Sequence, residues 1–341
     1  MTNDNVSNPN VLDGSIIMTR VRLARNLAGY PFKIKSQAQA KEIVKKVNRA
    51  LVRTDTFDLF FMSNLSEIKL EAMKERHLIS QNLIDNKECG AALINQDRDV
   101  SVMINEEDVI REQCFMKGLR LSEAYKKLDR IDDDLSKHVD FAFDNKYGYL
   151  TACPTNLGTG LRASVMMFLP ALTESGKIGA LIKEVSKLGL TVRGLYGEGS
   201  SAEGYMYQIS NEVTLGVSEY EILREVEETV NDICLAERDC MESMYFGRNE
   251  LKTMDKARKS FGILTNAVML SYGEFLTNIA QVKLGAMLGM ISITDVSALD
   301  DLIISVRPAN ICEQYGKRLS AVDRDLFRAE KVGNKLLKLK E

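Results

Sequence analysis

Charge of one sign is missing from this sequence: 45 Lys+Arg against 48 Asp+Glu over 341 residues leave a formal charge of −3. Without a basic footprint, neither nucleic acid nor an anionic membrane is expected as a partner. No apolar run reaches the roughly 20 residues of a spanning helix, residues 284–293 being typical of the longest. The opening MTNDNVSNPNVLDGS lacks a basic n-region and an apolar h-region, so no export signal is read and a soluble, cytoplasmic protein is expected. The six cysteines (Cys89, Cys114, Cys153, Cys234, Cys240, Cys312) include no CxxC pair and are read as reduced thiols. No stretch has the composition of a disordered tail, and neither an internal repeat nor a low-complexity segment is visible.

What is present is a chain long enough for one large domain plus a smaller one, with 45% hydrophobic residues to fill them. Ala40, Ile43, Val44, Val47, Ala50 and Leu51 recur at helical spacing and predict an amphipathic helix over 37–53, followed by another at 65–76. AALI (91–94) and VSVMI (100–104) flank the turn-like NQDRD and read as an antiparallel hairpin. Ser122 is expected to cap a helix reaching about residue 139. Strands are expected at 149–153 and 163–169, a helix at 173–188, and further strands in TVRGLY, YMYQIS and EVTLGV. A helix over 218–243 opens with SEYE, in which Ser218 and Glu221 make a capping box. Beyond Gly247 only helical patterns remain. The expected architecture is an α+β unit over residues 1–246, with strands clustered as hairpins, and an all-helical module over 247–341.

Four segments can carry chemistry. CPTNLGTGLRAS (153–164) joins two expected strands through Gly158 and Gly160, which let backbone amides approach an anion, and ends in Arg162; alone, it also fits a glycine turn beside a surface arginine. TVRGLYGEGSSAEG (191–204) surrounds one carboxylate, Glu198, with glycines, as a ligand loop or an ordinary connection would. INEEDVIREQ (104–113) sets Glu106, Glu107 and Asp108 after an apolar strand; if helical, Glu107 and Arg111 are a surface pair. In MTRVRLARN (18–26), Arg20 and Arg22 lie on one strand face and repel unless an anion lies between them, a solvated edge being the plainer account. Neither GxxxxGK[ST] nor a strand-linked GxGxxG occurs. Together, Arg20, Arg22, Arg111, Arg162 and Arg193 can bracket a triphosphate, leaving Glu107 and Glu198 for a cationic acceptor. A guanidinium, with its pKa above about 12, needs a carboxylate to bind it and draw off a proton as an N–P bond forms.

These motifs, in this order from residue 15 to about 245, resemble the ATP:guanidino phosphotransferase (phosphagen kinase) superfamily. The resemblance implies an antiparallel sheet flanked by helices, similar to the glutamine synthetase catalytic domain. It implies ATP and Mg²⁺ as cofactors, although no carboxylate is identifiable as a dedicated metal ligand. TRVR begins at Thr19, leaving no room before it for the helical domain that encloses small acceptors, so the bacterial branch acting on arginine side chains of proteins is the expected match. A kinase of free arginine and a catalytically inactive phosphoarginine-binding regulator are the alternatives.

Carried over residue by residue, the resemblance implies catalytic roles for Glu107, Glu198 and Cys153, the last also fitting a small buried strand residue. Nucleotide contacts fall on Met18, Thr19, Arg20, Val21, Arg22, His77, Arg111, Arg162, Ala163, Ser164, Val165, Met166, Arg193, Gly194, Leu195, Tyr196, Gly197 and Glu198. Val109, Met166 and Thr214 stand where small-substrate members have histidine, histidine and arginine. RDLFRA (324–329) matches an RDxxRA element implying a phosphoarginine pocket, in which Arg324 and Arg328 would grip the phosphoryl group and Asp325 the guanidinium; a solvated charged helix is the alternative. The branch further implies marking of clients for a Clp protease, control of a heat-shock repressor and a zinc-binding activator protein. A homodimer is expected because the apolar helices of the module exceed what one short domain buries.

Overall fold

The computed structural model describes residues 14–52, 56–194 and 203–340. Its strands are β1 (Ile16–Arg25), β2 (Phe57–Phe61), β3 (Ala91–Asn95), β4 (Val100–Ile104), β5 (Ile110–Lys117), β6 (Phe143–Asp144), β7 (Gly148–Tyr149), β8 (Leu161–Phe168), β9 (Leu190–Gly194) and β10 (Met206–Asn211). All but β6 and β7, which pair with each other, form one antiparallel sheet in the order β2-β3-β4-β5-β1-β8-β10-β9. The helices of this part are α1 (Gln37–Leu51), α2 (Glu67–Glu75), α3 (Gln81–Asp85), α4 (Leu121–Ser136), α5 (Pro170–Glu174), α6 (Ile178–Lys187) and α7 (Glu219–Tyr245). From there the chain is helical: α8 (Glu250–Asn266), α9 (Tyr272–Met287), α10 (Ser297–Ser305), α11 (Pro308–Gln314) and α12 (Ala321–Leu339).

Side-chain alternation along β1 explains how the sheet is used. Val21 and Leu23 are buried on one face, where α4 and, along β8 and β10, α7 cover them; Arg20 and Arg22 project from the other. At the β2–β4 end that second face is also covered. There Ala92, Ile94 and Met103 pack under Leu70, Met73 and Leu83 of α2 and α3. The roof stops at α2 and α3, and the arginines lie on the remainder.

Most expected elements form. α1 runs to Leu51, with Ser36 capping Gln39 N–H and the six spaced apolar residues buried. Both bonds of the Ser218–Glu221 capping box are made. The expected helix over 173–188 is instead two, α5 and α6, separated at Gly176 in a left-handed conformation (φ +73°). Arg120, not Ser122, precedes α4. Its N–H donates to the Thr19 hydroxyl (3.0 Å), which in turn donates to the Gly118 carbonyl (2.7 Å). The strand expected over 149–153 stops at Tyr149, and EVTLGV forms no strand: the Thr214 carbonyl accepts from Thr159 N–H while its hydroxyl donates to the Thr155 and Leu157 carbonyls.

Two buried ion pairs lock the layers. Arg25, at the end of β1, donates from Nε and Nη2 to Asp132 of α4 at 2.8–3.0 Å and stacks over Tyr149 at 3.5 Å. Its Nη1 donates to the carbonyls of Ala24 (2.9 Å) and Thr159 (3.0 Å), fixing the loop before β8. Lys283 of α9 bonds Asp300 of α10 at 2.6 and 2.9 Å and lies over Phe168, tying the helical region to the end of β8. Removing one partner of such a pair strands a buried charge at a cost of about 3–5 kcal/mol. Asp132→Ala should therefore lower unfolding stability by about that amount in urea titration, whereas Arg25→Met with Asp132→Leu should recover much of it.

Candidate active site

The open face of the sheet is a field of guanidinium groups held by strand register. Arg22 of β1 lies opposite Arg162 of β8 and Gln113 of β5; Arg20 lies opposite Ser164 and Phe115; Arg111 faces Ala24; Arg193 of β9 faces Gln208 of β10. Arg111 is paired with Glu106 and Glu107, but the other charges find little among the described residues: Arg20 reaches the amide oxygen of Gln208 (3.4 Å), Arg162 the hydroxyl of Ser210 (3.3 Å), and the Nε atoms of Arg22 and Arg162 are buried without a partner there. Burial, then the neighbouring Arg111 and Arg162, push Arg20 down to about 10. Burial and Arg20 push Arg22 well below its ordinary value, and burial with Arg193 lowers Arg162. Buried cations that lower one another's proton affinity in this way are what a site for an anion requires.

The three consecutive carboxylates divide the work, although the segment is a turn entering β5 rather than a helix. Glu106 is buried and accepts from the Ser80 hydroxyl (2.5 Å), Glu107 N–H (2.5 Å) and Arg111 Nη1 (2.7 Å). Asp108 is also buried. It accepts from Asn26 Nδ2 (2.8 Å), Ala152 N–H (2.6 Å) and Asn156 Nδ2 (3.2 Å), so it pins the 152–156 loop to β1. Glu107 is the least tied of the three: its side chain is 39% exposed and keeps a loose contact with Arg111 (3.4 Å).

Glu107 lines a cavity of about 220 Å³ together with Arg22, Arg111, Arg162, Cys153 and Asn156. Cys153 is half-buried in the loop, not in a strand, with Sγ 3.0 Å from the Thr155 hydroxyl. Gly158 keeps this loop close to the chain beyond β10: a Cβ there would lie 2.3 Å from the Thr214 carbonyl. Thr214 thus braces the loop.

Alternation also divides the continuous stretches expected to contact nucleotide. Thr19, Val21, Ala163 and Val165 point into the core, fully buried, and their side chains cannot reach a ligand on the open face. Ser164 lies on the open face, its hydroxyl bonded to the Arg20 carbonyl (3.2 Å). Met18 and Met166 line a second cavity of about 540 Å³ with Met206, Ile293, Val296 and Ile303. Val109 is core. Gly194 ends β9, and Leu195, Tyr196, Gly197 and Glu198 lie outside the described residues. His77 stands in a left-handed conformation (φ +61°), its Nε2 buried without a partner among the described residues. Burial, then Arg20 and Arg307, pull its pKa down to about 3.

The expected two-arginine grip in RDLFRA does not form. Arg328 turns inward, 1% exposed, donating from Nε to the Val306 carbonyl (3.0 Å) and from Nη1 to the Leu270 carbonyl (2.7 Å) and Asp325 (2.5 Å). A buried guanidinium needs acceptors, and Asp325 supplies one. Arg324 instead borders a cavity of about 520 Å³ between α2, α11 and α12, where Glu67, Glu71 and Glu75 stand on one side and Arg318 and Lys87 are also present.

Comparison with known proteins agrees with this geometry. Residues 39–240 match the ATP:guanido phosphotransferase C-terminal catalytic domain family. The chain belongs to this family. Residues 250–341 match the protein-arginine kinase McsB C-terminal domain. Relatives include the protein-arginine kinase of Caldanaerobacter subterraneus subsp. tengcongensis, 42% identical over 95% of this chain and 97% of that protein. That of Clostridium tetani is 39% identical over 95% of this chain and 96% of its own. Among solved structures, lombricine kinase superposes with a TM-score of 0.59 at 24% identity, covering 68% of each chain. The substrate-free duplicated taurocyamine kinase of Schistosoma mansoni gives 0.60 at 23%, over 94% of this chain and 50% of that one. Membership makes the chain an ATP-dependent kinase with a guanidino acceptor.

Among the site residues that sequence reasoning missed, Asn26, Gln113 and Gln208 signal only by strand parity with Arg20 and Arg22. The state of His77 is testable through stability. Folding keeps His77 neutral down to about pH 3, whereas the unfolded chain takes up a proton near 6.5, so its contribution is complete above that pH and is lost as the pH falls between the two. His77→Gln should flatten this part of the stability profile in denaturant titrations between pH 7 and 4; an unchanged slope would place the proton elsewhere.

Proposed function

We propose that the chain transfers the γ-phosphoryl group of ATP to arginine side chains of proteins. The observation that carries this reading is the convergence of Arg22, Arg111 and Arg162 with the half-exposed Glu107 on one cavity. Arg20, Arg22, Arg162 and Arg193 take the polyphosphate and the negative charge that develops during transfer, while the cavity at Met18 and Met166, lined by methionine and isoleucine together with Lys117, Asp295, Asp300 and Asp301, seats the base. Phosphoryl transfer asks little more of the protein than neutralised charge and in-line geometry.

Glu107 orients the acceptor guanidinium and accepts the proton that leaves its nitrogen as the N–P bond forms and the bond from γ-phosphorus to the β–γ bridging oxygen breaks. Its carboxylate is available because Glu106 holds Arg111 in its place. Glu198 is assigned the second acceptor contact, and Cys153, beside the same cavity, a thiol contact to the guanidinium. Among the described residues, no cluster of three or more His, Cys, Asp or Glu side chains is built to hold a metal, so Mg²⁺ is assigned to the nucleotide phosphates rather than to a protein cage.

The relatives' name supports a protein acceptor for this chain as well. The 247–341 region is assigned dimerisation, supported by exposed Leu251, Val268, Met269 and Val322, and product sensing. In the second role Arg324 would meet the phosphoryl group of a phosphoarginine in the 520 Å³ cavity, while Arg328 serves by setting Asp325. Marking of clients for a Clp protease, with a zinc-binding activator and a heat-shock repressor as partners in a cytoplasm, completes the proposal.

Incubation of a mixed unfolded-protein substrate with ATP and Mg²⁺ should yield phosphate on arginine by mass spectrometry under non-acidic conditions; phosphorylation of free arginine alone would overturn the protein acceptor. Glu107→Ala and Glu198→Ala should each slow transfer on the order of 10²-fold or more with nucleotide binding largely kept. Wild-type turnover in either variant would remove that residue from the mechanism. Added phosphoarginine should stimulate the wild type and not Arg324→Ala, whose basal rate should stay near wild type.

A further inference from the structure

Between α2 and the arginine face the chain turns a corner at Glu75, Arg76 and His77, and this corner is bonded on both sides. Toward the helical region, the Glu75 carboxylate accepts from Ala309 N–H (3.0 Å), Asn310 N–H (2.8 Å) and Asn310 Nδ2 (2.9 Å), capping the start of α11. The Glu75 carbonyl accepts from Arg307 Nη1 (2.9 Å). Arg76 donates from Nε to Asn310 Oδ1 (2.7 Å) and pairs with Glu313. Toward the active face, Gln113, which lies opposite Arg22, donates from Nε2 to the carbonyls of His77 (2.7 Å) and Leu78 (3.1 Å). These bonds converge on a residue whose backbone is in a left-handed conformation, one that a non-glycine residue keeps only when its surroundings impose it. The His77 side chain carried by this corner has an Nε2 that is buried without a partner among the described residues, and Arg20 is one of the charges that lower its pKa.

We propose that Glu75 is a positioning residue for nucleotide binding: by clasping α11 it fixes the Arg76–His77 corner and so sets His77 and Gln113 against Arg20 and Arg22. This rests on the assignment of the arginine face to the nucleotide. The helical region thereby holds the ATP site in its competent shape without contributing a side chain to the phosphates. Glu75 also lines the 520 Å³ cavity that Arg324 borders, so a cationic group entering that cavity competes for the same carboxylate.

The full-length chain is the material for the test, with Glu75→Gln, Glu75→Ala and Asn310→Ala, each checked for folding by circular dichroism. ATP affinity is read by calorimetry, and KM for ATP and kcat are read separately. The expected result is a 5- to 20-fold rise in KM and Kd for ATP in Glu75→Ala, a smaller rise in Glu75→Gln and Asn310→Ala, and kcat at saturating ATP within about twofold of wild type. In Glu75→Ala, the further change His77→Ala should add little to the loss, although alone it weakens ATP binding. Folded variants with unchanged ATP affinity, or a loss confined to kcat, overturn the proposal; should Glu75→Ala not fold, Asn310→Ala tests the clasp from its other side by the same criteria. Arg22→Ala separates the two readings. If it leaves ATP binding intact, the nucleotide assignment itself fails; if it abolishes binding while the Glu75 and Asn310 variants keep it, only the positioning role falls.

Discussion

Mutual repulsion among guanidinium groups is the constraint around which this molecule is arranged. Arg20, Arg22 and Arg162 are carried on adjacent strands at distances fixed by backbone hydrogen bonds, and each is depressed in its proton affinity by burial and by neighbouring arginines. Carboxylates would relieve the strain, but among the described residues Glu106 and Glu107 bond Arg111, and Arg20 and Arg162 meet amide and hydroxyl groups. In the role proposed for this face, a polyanion resolves the conflict, and the sheet holds as unfavourable electrostatics part of what phosphate binding would release.

Everything near that face either keeps a negative charge away from it or holds one in a defined place. Glu106 is consumed by Ser80, a backbone amide and Arg111, and Asp108 by Asn26 and the 152–156 loop, so of three adjacent carboxylates Glu107 is left without a tight partner. Behind the sheet, the Arg25–Asp132 pair performs the opposite task, keeping a cation that belongs to the core from joining those on the surface. Glu112 lies fully buried beside that pair, and burial followed by Asp132 raises its pKa well above the usual carboxylate range.

Much of this is legible in the sequence because the arginines and carboxylates sit in contiguous motifs whose spacing reports strand parity. Arg20 and Arg22 project together as their two-residue separation requires, and Glu107 stands at the cavity. What local pattern does not carry are relations between distant segments. The contiguous runs at 18–22 and 163–166 read whole as nucleotide contacts, although pleating sends Thr19, Val21, Ala163 and Val165 into the core. The helix expected over 173–188 carries its own break at Gly176, a left-handed position that apolar periodicity passes over. Arg328 is the twin of Arg324 by helical spacing. Only the carbonyls of Leu270 and Val306, far away in sequence, draw it inside.

The strict division of β1 also bears on how the chain finds its pairing. A slip of one residue against β5 or β8 would turn Val21 and Leu23 outward and drive Arg20 and Arg22 into an apolar layer with no acceptors, while Arg25 would lose Asp132. Misregistered sheets are thus penalised by the same charges that are proposed to bind phosphate. The central strand is proofread during folding by the residues of its proposed site, so an exchange of the arginines for neutral side chains relaxes the register as well.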